Sequence, residues 1–134
     1  MNGSDNLEAI LKTLIDGVWN AGRYELIPEV FAQNAQLHMA GIELEGHEAI
    51  RDHYISPFRT GFPDLHIEVL DLLRDGNKVA MRLRGTGTHD GDYRGKPATG
   101  KQLDYTGIVV MHMESGKIVH VWGHSDAAGK IAAF

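Results

Sequence analysis

Histidine is the residue type that offers this chain most of its possible chemistry. The 134 residues include eight histidines and no cysteine. Without cysteine the chain can form no disulfide, thiolate metal site or thiol nucleophile. His120 and His124 lie on one predicted strand at a spacing of about 13 Å, and His47 and His53 do not share one face of a helix. The sequence therefore predicts no metal site.

A glycine-rich run at 85–101 is the second stretch whose composition suggests a ligand site. It contains five glycines, but it lacks the Gly-Lys-Ser/Thr ending of a phosphate-binding loop and does not lead into a helix. Glycine at this density is typical of turns between strands. We therefore expect no nucleotide cofactor, and we expect His89 in this run to be structural or exposed and not a base.

Aromatic side chains with polar atoms are the remaining candidates for a site. Ile50, Tyr54 and Phe58 recur every four residues, so they share one helix face. Tyr105 and Val109 share one face of a later strand. A tyrosine hydroxyl in an apolar pocket is a good donor to an enolate oxygen. The residues that we expect to contact a bound small molecule are Trp19, His38, Tyr54, Phe58, Tyr105, Val109 and Trp122.

Two of these assignments have open alternatives. Trp122 alternates with Val121 and Gly123 on the last predicted strand, and sequence alone does not say which set faces inward. Packing is the more common role of such a tryptophan. For His38, a half-buried structural role is equally consistent with the sequence.

The hydrophobic periodicity around these residues indicates helices first and strands afterwards. Predicted helices span 5–20, 24–31 and 47–59, and predicted strands span 35–39, 42–44, 65–73, 78–88, 102–113 and 117–124. Helices followed by a strand meander indicate an α+β fold. A long antiparallel sheet twists strongly, so it can curl around a helix and leave a pocket inside.

The overall composition limits the partners. A net charge of −5 argues against a nucleic-acid-binding protein, and no basic cluster predicts a membrane-surface site. The length fits a single domain over 1–134. Because no apolar run approaches a membrane span and the N-terminus lacks a signal-peptide pattern, we expect a cytoplasmic protein.

Five short motifs follow one another along the chain. They are Val18-Trp19-Asn20, Gly46 with Glu48-Ala49-Ile50, Phe62-Pro63-Asp64-Leu65, Gly87-Thr88-His89 with Gly95, Pro97, Thr99, Gly100 and Lys101, and Gly116-Lys117-Ile118 followed by Trp122. In this order they resemble the SnoaL-like polyketide cyclases, within the superfamily of ketosteroid isomerase and nuclear transport factor two. The resemblance implies a cone-shaped α+β barrel, with N-terminal helices packed in a curved, mainly antiparallel sheet. It also implies a homodimer that pairs through the outer face of the sheet.

The same resemblance implies an activity without cofactor or metal. The family's cyclases close a ring by intramolecular aldol condensation, which needs a general base and donors that stabilise an enolate. Their base is an aspartate directly after the position that resembles Trp122, where this chain has Gly123. A family histidine aligns with Val109. The nearest replacements for the base are His124 and Asp126, which are our candidate catalytic residues.

These observations support three hypotheses. The leading one is a cyclase-like or isomerase-like enzyme that abstracts a proton next to a carbonyl of a small apolar or aromatic compound. The alternative, favoured by Gly123 and Val109, is a non-catalytic domain that binds a small hydrophobic molecule or dimerises. A third and weaker hypothesis is hydration or epoxide opening, which needs several polar groups around one water. A pocket lined only by aliphatic, methionine and aromatic side chains would contradict the enzyme hypotheses.

Overall fold

The computed structural model describes residues 3–39 and 41–134, with side chains from residue 7 onward. Helix α1 (Gly3–Lys12) continues without a break into a π-helical stretch (Thr13–Asn20), in agreement with the helix predicted at 5–20. A 3₁₀ turn (Tyr24–Leu26) then leads into the short helix α2 (Ile27–Val30).

The second helical layer and the C-terminus complete the helices. Helix α3 (His47–Ile50) passes through a π-helical turn (Arg51–Ile55) into α4 (Ser56–Gly61). Helix α5 (Ala127–Ala132) follows the last strand. No helix in the described part of the chain has the length and hydropathy to cross a membrane.

Six strands form one curved sheet. They are β1 (Phe31–Met39), β2 (Ile42–Glu45), β3 (His66–Asp75), β4 (Lys78–Thr88), β5 (Gln102–Glu114) and β6 (Lys117–Ser125). Their order across the sheet is β2-β1-β6-β5-β4-β3. Only the β1–β6 pair is parallel among the described strands. The predicted α+β fold with a mainly antiparallel sheet is therefore confirmed.

Two predicted segments need correction. The strand predicted at 35–39 begins at Phe31, directly after α2. Its register against β6 shifts between Phe31 and Gln36, and this irregularity breaks the alternation that a sequence pattern can detect. The second lies after β6, where the sequence predicts no helix: the chain forms α5, whose buried Ala127 and Ile131 lie four residues apart.

The strands separate the sheet into an inner face and an outer face. On β5, Leu103, Tyr105 and Met111 are buried, whereas Ile108 and Val110 are exposed. The helices cover the inner face, and the apolar core lies between the two layers. The outer face carries no helix in the described part of the chain, so it remains open to solvent.

The end of the first helical segment is tied to the sheet by side chains. The Asn20 amide donates to the carbonyl of Ile67 at 2.9 Å and accepts from its N–H at 2.7 Å. The guanidinium of Arg59 donates to the carbonyl of Trp19 at 2.5 Å. The Arg59 bond satisfies a carbonyl group at the helix end, and the Asn20 bonds satisfy both backbone groups of Ile67. Together they fix this helix end relative to β3 and α4.

The glycine-rich run docks onto α4 through His89. This side chain is fully buried, stacks on Phe62 at 5.2 Å, and has its Nδ1 atom 2.9 Å from the hydroxyl of Thr99. Its backbone carbonyl accepts from the N–H groups of Thr99 and Gly100. The predicted structural position of His89 is therefore confirmed.

Substitution of Gly85 by alanine tests how closely the inner face is packed. An added Cβ at Gly85 would lie 2.3 Å from the ring of Tyr105, so the ring must move. We expect Gly85→Ala to lower the free energy of unfolding by about 1–3 kcal/mol. Urea denaturation measures this change. Gly129→Ala is the control, since Gly129 lies in α5 with nothing within 4 Å of the added Cβ. An equal loss of stability in both variants would contradict the packing argument.

Candidate functional site

A cavity of about 60 Å³ lies between the helices and the inner face of the sheet. Among the described residues, sixteen side chains from both layers line it: Leu14, Ile15, Trp19, Phe31, Leu37, Met39, Ile50, Tyr54, Ile55, Ile67, Met81, Leu83, Tyr105, Val109, Met111 and Val121. All are aliphatic, methionine or aromatic. A site of this composition suits an apolar ligand.

The polar side-chain atoms of the lining belong to three aromatic residues, Trp19, Tyr54 and Tyr105. Burial raises the pKa of the Tyr54 hydroxyl, and the neighbouring Tyr105 and Tyr93 act in the same direction. Burial is also the main cause that raises the pKa of Tyr105, followed by Tyr93 and Asp126. Both phenols are therefore neutral at physiological pH and act as hydrogen-bond donors, not as bases.

The aromatic lining has a defined geometry. Trp19 meets the ring of Tyr54 edge-on, with centroids 5.4 Å apart and planes at 85°. Phe58 packs behind them, 6.1 Å from Trp19 and 5.7 Å from Tyr105. Phe58 is thus a buried support of the lining and does not itself line the cavity. Edge-to-face pairs of this kind hold the rings in place.

Gly123 explains how the cavity is closed near β6. An added Cβ at Gly123 would lie 2.3 Å from the sulfur of Met39 and 3.1 Å from Val109. Position 123 therefore faces inward, and the thioether of Met39 occupies the space that a side chain at this position would fill.

The cavity reaches the surface where its lining side chains keep some exposure. These are Met39, Tyr54, Leu83 and Val109, whereas the other twelve are buried. Met39 has three rotatable bonds and a polarizable sulfur, so it adapts readily to a changed volume. We call this opening the mouth of the cavity. The flexible side chain of Met39 and the hydroxyl donor of Tyr54 both lie at it.

The two candidate bases lie outside this cavity. His124 is exposed on the outer face and pairs with Ile108 across the β5–β6 ladder. Asp126 is also exposed; its carboxylate accepts from the N–H of Thr106 at 3.1 Å and lies 3.4 Å from the ammonium of Lys130. The structure brings both residues together with Arg82 and Ser125 in a separate surface depression. Their catalytic role stays a prediction.

Two of the predicted ligand contacts lie on the outer face of the sheet. Val121 and Gly123 face inward, so the alternation of β6 directs Trp122 outward. On β1, the buried Leu37 likewise directs His38 to the outer face. Of the seven expected contact residues, Trp19, Tyr54, Tyr105 and Val109 line the cavity, whereas Phe58, His38 and Trp122 do not.

The sequence analysis missed Met39 as a cavity residue. The alternation of Leu37 and His38 was recognised, and continuing it by one residue would have placed Met39 on the inner face. Its contact with Gly123 had no such signal, because it depends on the parallel pairing of β1 with β6. Among the described residues, no group of three or more His, Asp or Glu side chains is arranged to hold a metal ion.

Solved structures resemble this fold closely. A protein from Jannaschia sp. CCS1, provisionally named a SnoaL-like polyketide cyclase, is 24% identical with a TM-score of 0.85, covering 97% of this chain and 91% of that one. A provisionally named polyketide cyclase from Acidithiobacillus ferrooxidans is 27% identical with a TM-score of 0.82, covering 99% and 96%. IdmH from Streptomyces antibioticus, with a similar provisional name, is 25% identical with a TM-score of 0.79, covering 98% and 97%.

Sequence comparison gives the family directly. A search of curated proteins finds no significant match. The sequence model of the SnoaL-like polyketide cyclases, however, matches residues 9–133. This match extends over both the helices and the sheet that enclose the cavity. The chain therefore belongs to the SnoaL-like polyketide cyclase family.

Proposed function

We propose that this protein binds a small, neutral, apolar carbonyl compound of aromatic or polyketide-like character in the cavity. The observation that carries the proposal is the lining itself, which is apolar apart from the polar atoms of Trp19, Tyr54 and Tyr105. A carbonyl oxygen accepts hydrogen bonds and needs no counter-charge. The family's association with polyketides supports the same class of ligand.

The absence of charge in the lining limits the ligand further. None of the sixteen lining residues is an Asp, Glu, His, Lys or Arg. A carboxylate placed in this cavity would lose its water without gaining a cation, which is strongly unfavourable. An ester or ketone therefore fits the lining, whereas the corresponding free acid does not.

Met39 has to move for such a ligand to enter. The cavity of about 60 Å³ is well below the roughly 300–1,000 Å³ of pockets that hold drug-sized ligands. The thioether of Met39 lies at the mouth beside Gly123, where a change of rotamer opens space without moving the backbone. We propose that the ligand displaces this side chain.

A second candidate function is proton abstraction next to the carbonyl by a base outside the cavity, because the aliphatic, methionine and aromatic lining contradicts a base within it. One observation favours it: the charge of Asp126 contributes to the raised pKa of Tyr105, so this carboxylate lies within electrostatic range of the lining. In this alternative, Asp126 or His124 removes the proton outside the cavity, and a tyrosine hydroxyl of the lining stabilises the enolate. A ligand would have to extend beyond the cavity to reach either base.

The protein is also proposed to act as a homodimer that pairs through the outer face of the sheet. Ile108, Val110 and Trp122 form an exposed apolar centre on this face, with 53%, 36% and 36% of their surface accessible. Arg82 and Arg84 beside them are already paired with carboxylates of their own chain. A partner that covers this face would therefore bury apolar surface, and both guanidinium groups would keep their carboxylate partners.

Replacing the tyrosine hydroxyl tests the binding proposal. We expect Tyr54→Phe to weaken binding of 2-acetylnaphthalene about 5–10-fold, because one hydrogen bond to the carbonyl is lost. Binding of 2-ethylnaphthalene, which has no carbonyl, should not change. Isothermal titration calorimetry measures both affinities. Equal effects on the two ligands would contradict a carbonyl contact, and no binding of either would contradict the proposed function.

Shortening Met39 tests its role at the mouth. We expect Met39→Ala to bind 2-acetylanthracene roughly fivefold more tightly than the wild type, because the ligand no longer displaces the thioether. Met113→Ala is the matched control, since Met113 is a buried core methionine outside the lining. Unchanged affinity in Met39→Ala, or the same gain in both variants, would contradict the displacement of Met39.

Hydrogen–deuterium exchange distinguishes the two candidate functions. The binding proposal predicts that the protein leaves exchange at the acidic C–H of aromatic 1,3-dicarbonyl esters at the buffer rate. Proton abstraction predicts faster exchange, which is lost in Asp126→Asn or His124→Gln while circular dichroism shows intact folding. NMR integration of the C–H signal measures the rate. Exchange that persists in both variants would contradict both candidate bases.

A further inference from the structure

Three imidazoles surround one indole on the outer face of the sheet. The ring of Trp122 stacks on His120 at 5.0 Å and on His38 at 5.4 Å, and it meets His112 at 4.7 Å. His38 and His120 are themselves stacked at 5.6 Å, and His112 lies 6.3 Å from His120. Histidine is the side chain that ordinarily gains a proton near neutral pH. Protonation would therefore place several like charges within a few ångströms of one another.

We call His38, His112 and His120 the histidine cluster. The residues around them would offset the positive charge of each protonated histidine to a different extent. On β2, Glu43 contacts Nδ1 of His38, so a proton on His38 meets a carboxylate. On β4, Lys78 is the register partner of His112 and adds a further positive charge. On β1, His120 pairs with the neutral Gln36, although Glu45 lies one strand further on β2.

The ring of His120 has one nitrogen that is closed off from solvent. Its Nδ1 atom is buried, and no described residue offers a hydrogen-bond partner to it. A protonated imidazole carries N–H donors on both ring nitrogens. The added donor would remain without an acceptor, which is costly for a buried charged group.

We propose that protonation of the histidine cluster controls self-association of this chain, so that the homodimer forms above neutral pH and dissociates on acidification. This rests on the homodimer proposed above. At alkaline pH the cluster is a neutral aromatic surface continuous with Ile108 and Val110. At acidic pH it is a concentrated positive patch that a second copy of the same patch repels.

The dimensions of the outer face fit a second copy of the chain. The five longer strands, β1 and β3 to β6, have nine to thirteen residues and lie about 4.8 Å apart, so their outer face measures roughly 24 by 30 Å, or about 700 Å². A stable dimer buries about 800 Å² per partner. A twofold axis along the strands between β5 and β6 places Trp122 of one copy over Val110 of the other. The same axis places His120 over His112, so the two clusters meet.

The sign of the pH effect follows from this arrangement. Dimerisation removes water from both clusters and brings their charges together, so the free subunits hold protons more readily than the dimer does. Dissociation therefore takes up protons. For each proton taken up on dissociation, the association constant falls about tenfold for every unit by which the pH decreases, over the range in which the cluster titrates. The dimer is favoured above that range and lost below it.

Sedimentation velocity at pH 8.0, 7.0, 6.0 and 5.5 tests the proposal. We expect a dimer at pH 8.0 and a dissociation constant at least tenfold larger at pH 5.5, with circular dichroism showing folded subunits throughout. In His112→Gln/His120→Gln, the pH dependence should be reduced or abolished. His53→Gln is the control, because His53 is exposed on the helical layer away from the outer face, and it should behave like the wild type.

The outcomes separate the proposal from its premise. A monomer at every pH would overturn both the homodimer and its control by protonation. A dimer with the same dissociation constant at all four pH values would overturn only the role of the histidine cluster. Acid-strengthened association, or full pH dependence in the double variant, would also overturn it. Ligand affinity measured at pH 8.0 tests the cavity independently of these results.

Discussion

The two-residue period of the strands is the constraint on which the other features of this structure depend. On β6, Val121 and Gly123 face inward. Because successive side chains of a strand alternate, His120, Trp122 and His124 face outward. The same period on β5 and β1 separates the cavity lining from the exposed surface. A shift of one residue would exchange the two sets. The apolar cavity and the histidine cluster are therefore two consequences of one register.

Gly123 shows how one missing side chain changes the chemistry of an inner face. A carboxylate at this position would point toward the cavity, where a low-dielectric environment increases its basicity. In this chain the space is filled by the thioether of Met39, and Val109 lies on the other side. The remaining polar lining atoms are donors with neutral side chains. This lining is the basis for our proposal that the cavity binds a neutral ligand through hydrogen bonds.

The periodic elements could be predicted from the sequence because their signals are local. The helix over 5–20 and the strands β4 and β5 follow from the spacing of apolar residues. The orientation of β6 could not be predicted, because Val121 and Trp122 are both large and apolar. The contact of Met39 with Gly123 depends on a parallel pairing between segments far apart in sequence. Local patterns contain no information about such a pairing.

The two tryptophans allow the position of the bound ligand to be measured directly by fluorescence. Trp19 lines the cavity and Trp122 lies on the outer face. In the Trp122→Phe variant, we expect saturable quenching of Trp19 fluorescence by 2-acetylnaphthalene. In the Trp19→Phe variant, the fluorescence of Trp122 should not show this saturable change. Saturable quenching of Trp122 alone would place the ligand on the outer face and contradict binding in the cavity.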